Sequence, residues 1–338
     1  MTSTVESTTL PLKPIEPEFS EQVRHTIGHR QQVEQLVDDV VRRGLRNVFF
    51  VGAGGSLIAS YPAYWILMRA AQFPVFQVQS DELNTTRPAA LGHGSLVVVA
   101  SYTGTTKETV AAADWAKSRG ATVVAAGKAG SPLTELADLA ITGENSDIAE
   151  ALVSYALLQR LDVPGDYDAT WRALEALPEA LRIAQEEVEE QVHDIAEALK
   201  DEPITYVLGS GPNYGWAYGL AMCYLQEMQW KHAAAYDSGE FFQGAFEVID
   251  DSVAVIVLLG EDASRPMGER ARAFLDRYGK KVHYLDTARL TLPGVPPELR
   301  GDVSPFALRV VIGRLAKHYE LVRGHDLEQR HYMFKVEY

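Results

Sequence analysis

The chain has 338 residues, 46% of them hydrophobic, with 31 Lys and Arg against 46 Asp and Glu for a formal net charge of −15. That length supports two domains around a large core, and the acidic balance excludes a nucleic-acid binder, which needs a basic face against phosphate. A lone cysteine, Cys223, predicts a reducing cytoplasmic setting, no apolar run reaches a membrane span, and nine histidines lack metal-ligand spacing, so neither membrane, metal nor cofactor is assigned.

In chain order, residues 1–18, rich in Thr, Ser and Pro and without the regions of a secretion signal, are expected to form a flexible arm. A helical pattern runs from Phe19 to Gly44. The spacing then predicts strands at 47–51, 75–79, 95–100, 122–126 and 138–141. Helices are expected between them at 56–71, 107–119 and 131–136, and another at 146–161. Alternation of this kind implies a parallel sheet covered on both faces.

Two turns stand out. NVFFVGAGGSLI enters Gly52, Gly54, Gly55 and Ser56, where glycines let a ligand approach the backbone. A dinucleotide fingerprint fails there, because no glycine follows three beyond Gly54. In GSLVVVASYTGTTKETV, an apolar strand runs into Ser101, Tyr102, Thr103, Gly104, Thr105 and Thr106 just before a helix. Hydroxyls around a helix N-terminus make a seat for an anion. A plain N-cap would use one such residue, not four.

Residues 166–200 read as a charged helical connector. ITYVLGSGPNYG at 204–215 then repeats the strand-then-glycine design about 157 residues after its first appearance, which implies an internal duplication. The second copy, VIVLLGEDAS, lacks the hydroxyl cluster, so one half is expected to bind the anion while the other completes the fold. A closing helix is expected at 305–323.

The Gly-x-Gly-Gly-Ser turn, the Ser-x-Thr-Gly-Thr-Thr loop and the stretch QEMQWKHAAAYDSGEFFQGAFEV at 226–248 together resemble the sugar isomerase (SIS) domain family. The resemblance is to its two-domain branch of fructosamine 6-phosphate deglycases and the isomerase half of glucosamine-6-phosphate synthase. It implies two tandem SIS-type α/β domains, each a parallel sheet flanked by helices in a flavodoxin-like three-layer sandwich. The expected boundaries are 19–165 for the first domain with its N-terminal helix and 201–290 for the second, with a C-terminal helix and tail over 291–338.

By that resemblance Ser101, Tyr102, Thr103 and Thr106 bind the terminal anion of a sugar, with Gly52, Gly54, Gly55 and Ser56 against the same ligand. Glu227 is then the proton-transfer base. Gln243 stands where relatives carry a histidine in His-Gly-Pro, contributed across a homodimer with shared active sites. Lys335 lies one residue from the position of an imine-forming lysine. His232 and Glu240 are the remaining candidates for an acid or a sugar contact.

A carboxylate in an apolar site can be basic enough to take a proton beside a carbonyl. Because glutamine cannot deliver a proton to a leaving amine, Gln243 favours an aldose–ketose isomerase over an amine-releasing deglycase, which is the alternative. A non-catalytic sugar-phosphate sensor is the third reading. A seat of neutral hydroxyls suits a 6-sulfonated hexose such as sulfoquinovose as well as a hexose 6-phosphate.

Overall fold

The computed structural model describes residues 13–337. The first half opens with α1 (Phe19–Ile27) and α2 (Arg30–Arg42). It continues as β1 (Asn47–Gly52), α3 (Gly55–Ala59), α4 (Tyr61–Ala70), β2 (Val75–Gln79), α5 (Ser80–Thr86), β3 (Ser95–Ser101) and α6 (Lys107–Ser118). β4 (Thr122–Gly127), α7 (Pro132–Leu136), β5 (Leu139–Thr142) and α8 (Ser146–Arg160) complete it. Two long helices, α9 (Tyr167–Glu187) and α10 (Glu189–Leu199), form the connector.

The second half is β6 (Ile204–Gly209), α11 (Tyr214–Gly219) running on as a π-helix over Leu220–Met228, β7 (His232–Asp237), β8 (Ala254–Leu259), α12 (Arg265–Tyr278) and β9 (Lys281–Asp286). α13 (Arg300–Arg323) closes the fold. All strand pairings are parallel, in the orders β2-β1-β3-β4-β5 and β7-β6-β8-β9. Among the described residues no helix is long and apolar enough to cross a membrane.

β1 and β3 are buried along their whole length because both sheet faces are covered. Alternate side chains divide between two cores. Phe49, Val51, Val97 and Val99 pack with Ala112, Ala113 and Ala116 of α6, whereas Val48, Phe50, Leu96 and Val98 face the other way. That second core also holds Val207, Ile256 and Leu258 from the other sheet, with Leu177 and Leu181 of α9 and Phe306 and Leu315 of α13. The two halves therefore share one interior.

Several elements differ from the sequence expectation. The 19–44 helix breaks at Gly28 and His29, and the 56–71 helix breaks at Ser60, whose hydroxyl donates to the Leu57 carbonyl. α5, β7 and β9 were not expected, and α13 begins five residues before the predicted start. Residues 1–12 of the expected arm lie outside the described residues. Residues 13–18 are not loose but lie against α13: Arg314 donates to the Lys13 carbonyl, Lys13 pairs with Glu320, and Lys317 pairs with Glu16.

Candidate active site

β1 sends its chain into α3 on one face of the first sheet, and the neighbouring β3 sends its chain into α6 on the other. The crevice between them is the topological switch point of the sheet, where open α/β folds bind ligands. Both turns singled out in the sequence lie at its mouth.

The hydroxyl loop is ordered by its own side chains. Ser101 Oγ lies 2.9 Å from Thr106 Oγ1 and accepts from the Gly104 amide at 3.2 Å, while Thr103 and Thr105 hydroxyls are 2.8 Å apart. Thr106 occupies the N-cap position of α6 but makes no capping bond with its side chain. By contrast, Ser131 caps α7 with a full capping box. The first turn of α6 is thus left without a side-chain acceptor, with its positive dipole end exposed to a ligand. Gly104 has φ +67°, and a Cβ there would lie 1.9 Å from Ser131 Oγ, so no other residue fits. In the facing turn Gly54 and Gly55 have open space where a Cβ would be. Ser56 is half-buried beside them. Tyr102 is 64% exposed, and its hydroxyl donates to Glu144 at 3.4 Å.

The corresponding switch point of the second half is filled by its own residues. Asp262 accepts from Asn213 Nδ2 at 2.7 Å and from the Ser264 amide at 2.8 Å. An internal carboxylate therefore sits at the turn where the first half leaves room for an anion.

Glu227 lies in the π-helix, a rare geometry concentrated at functional sites. Its Oε1 is 2.9 Å from Arg330 Nη2 of the C-terminal segment. Burial pushes the carboxyl above its ordinary value. Arg330 pulls it back, and Glu328 adds to the upward push. Glu328 also contributes, after burial, Glu144 and Glu16, to the raised Tyr102 hydroxyl. The C-terminal segment thus brings the anion loop and Glu227 into one electrostatic neighbourhood. Cys223, one turn before Glu227, is pushed up to about 12 by burial and by the Glu227 charge.

The remaining candidates are spread out. His232 is exposed at the start of β7. Glu240 and Gln243 are exposed in the 3₁₀ turn after the far end of β7. The Glu240 amide donates to Asp237 at 3.3 Å. The exposed Lys335 folds back to donate to the Arg330 carbonyl. Sequence reasoning passed over Glu144 and the guanidinium of Arg330. Arg330 lies 103 positions from Glu227, and no periodic pattern links the two.

The SIS domain profile matches residues 43–159. The chain is 34% identical to the fructosamine deglycase FrlB of Bacillus subtilis over 319 residues, covering 91% of this chain and 97% of that one. It is 27% identical to a fructoselysine 6-phosphate deglycase of Escherichia coli, covering 89% of each. A solved structure from Bacillus subtilis, described as that of a proposed phosphosugar isomerase, superposes with a TM-score of 0.85 at 32% identity, over 96% of this chain and all of that one. The C-terminal domain of glucosamine-fructose-6-phosphate aminotransferase from Francisella tularensis shares the fold, with a TM-score of 0.77 at 18% identity.

Proposed function

The chain belongs to the SIS domain family of sugar-phosphate enzymes, and on that premise we propose that it is a deglycase acting on 6-phosphorylated fructosamines. The observation that carries this reading is the 34% identity with a fructosamine deglycase along nearly the full length of both chains. The E. coli relative, also a deglycase, points the same way.

In this reading the phosphate rests on Ser101, Thr103, Thr106 and the first turn of α6, with Gly54 and Gly55 allowing close approach. Glu227 takes the proton from C1 of the amino-ketose to give an enaminol, and a proton returned to C2 leaves an imine at C1. Water adds to that C=N bond, and collapse of the adduct releases the amine and an aldose 6-phosphate. A raised carboxyl pKa suits the first step, since a base works best near the operating pH. Gln243 cannot protonate the departing nitrogen, so His232 and Glu240 are the groups to examine for that role.

Gln243 also favours a second reading, an aldose–ketose isomerase, in which no group leaves. A sulfonated hexose in place of the phosphate changes the anion and not the mechanism.

Incubation with a fructosamine 6-phosphate tests the proposal. We expect amine and aldose 6-phosphate in equal amounts, with the C1 proton exchanging with solvent. Glu227→Gln should lower turnover by about 10² to 10⁴ while sugar-phosphate affinity stays within a few-fold. Interconversion of hexose phosphates without amine release selects the isomerase. Binding without proton exchange in the wild type selects a sensor.

A further inference from the structure

The C-terminal segment is held by contacts that converge on Glu227. Trp230, two residues past the π-helix, stacks on His331 with ring centres 3.4 Å apart and takes the edge of His325 at 4.4 Å. Gln229 Nε2 donates to the His325 carbonyl at 2.8 Å, and Arg323 donates to the Gln229 carbonyl. Within the segment Arg330 Nη1 donates to the Leu327 and Gln329 carbonyls, and Lys335 donates to the Arg330 carbonyl. The Arg330 side chain is 10% exposed, and among the described residues its one ionic partner is Glu227, whose side chain is 24% exposed.

From this geometry we infer that Arg330 is a positioning residue, which fixes the Glu227 carboxylate in one orientation and holds it ionised for proton abstraction. The inference rests on Glu227 being the base. A lone carboxylate on a half-buried helix end would rotate and, once desolvated, take up a proton. A planar guanidinium restrained on its other edge by two carbonyls removes that freedom.

The charged and titratable groups facing Glu227 are few. Arg330 and Glu328 approach from the C-terminal segment, and Cys223 and Tyr224 lie on its own helix. Arg309 and Asp147 act on Tyr224 from α13 and α8. Arg330 alone among them makes an ion pair with Glu227 among the described residues.

The test compares wild type, Arg330→Gln and Arg330→Lys, each also carrying Glu227→Gln, as full-length chains. In melts without substrate from pH 5 to 8, Arg330→Gln should lower the Tm at the alkaline end. That loss should shrink as the pH falls and Glu227 takes up a proton, and its pH dependence should vanish when residue 227 is glutamine. In pH–rate profiles of kcat/KM, Arg330→Gln should move the acid limb upward by about one pH unit or more, the scale of one close opposite charge. Arg330→Lys should return the limb most of the way to wild type.

A Tm loss that is independent of pH and persists in the Glu227→Gln background would overturn the inference and leave Arg330 as a fastener of the chain end. An acid limb that stays put in Arg330→Gln would also overturn it. Failure of the base assignment has a separate signature: Glu227→Gln would retain turnover whatever residue 330 is.

Discussion

Glu150 on α8 is fully buried, and neither carboxyl oxygen has a hydrogen-bond partner among the described residues. Asp147, one turn earlier, takes the available cation: Arg309 Nε lies 2.7 Å from it, with Nη2 on Asn145. Of the two buried carboxyls, Asp147 holds the guanidinium and Glu150 is left without a cation. Burial, then the Asp147 charge, pushes Glu150 well above its usual range, so it is held neutral. The unfolded chain ionises this residue at lower pH than the folded one does. Wild-type stability therefore falls as pH rises from the ordinary glutamate range toward the folded pKa, by at most about 1.4 kcal/mol per pH unit. Glu150→Gln removes that slope. The variant should match wild type near pH 4.5 and exceed it increasingly toward pH 8 in paired thermal melts, and a difference that stays flat or reverses would refute the neutral carboxyl. Glu227 feels burial as well, and there Arg330 pulls against it. None of this was legible at residue scale, because α8 is buried along most of its length and shows no polar face to mark Glu150 as unusual.

The β3–loop–α6 element was legible in full, since a continuous apolar run, a glycine and clustered hydroxyls all point to one geometry. Its prediction belongs at this scale. Thr103→Val and Thr106→Val should each weaken binding of a 6-phosphorylated sugar by roughly 1.5–3 kcal/mol, the usual loss for a hydrogen bond to a charged group, and leave the unsubstituted sugar unaffected. Gly104→Ala should be worse, combining a φ of +67° with the overlap on Ser131. Isothermal titration with the two sugars separates the outcomes, and equal losses for both would remove the anion from this loop. Other elements were hidden for identifiable reasons. β7 reads HAAAYD, an alanine-rich stretch of helical propensity that becomes a strand only by pairing along β6. The π-helix reads as an ordinary amphipathic helix, because nine residues are too few to separate its period from 3.6.

Across the whole molecule, the duplication was visible in the two glycine-bearing strand ends, whereas the shared interior was not, since residues of α9, α10 and α13 fill it from distant parts of the chain. The same fusion sets what one chain can assemble. Glu227 precedes the N-terminal end of β7 and Gln243 follows its C-terminal end, and the six-residue strand between them spans roughly 20 Å at about 3.3 Å per residue. That separation leads us to expect that a substrate held at Glu227 meets Gln243 of a second copy. Gln243 and the neighbouring Val248, 50% exposed, are instead free to lie over a second copy. A two-fold dimer would place Gln243 of each chain at the other's site. Mixing Glu227→Gln chains with Gln243→Ala chains tests this, given that each variant alone is impaired. Random pairing should restore up to about a quarter of the native sites, because each mixed dimer contains one site with both original residues and one with neither. Proven subunit exchange without any recovery would mean that each site is complete within its own chain.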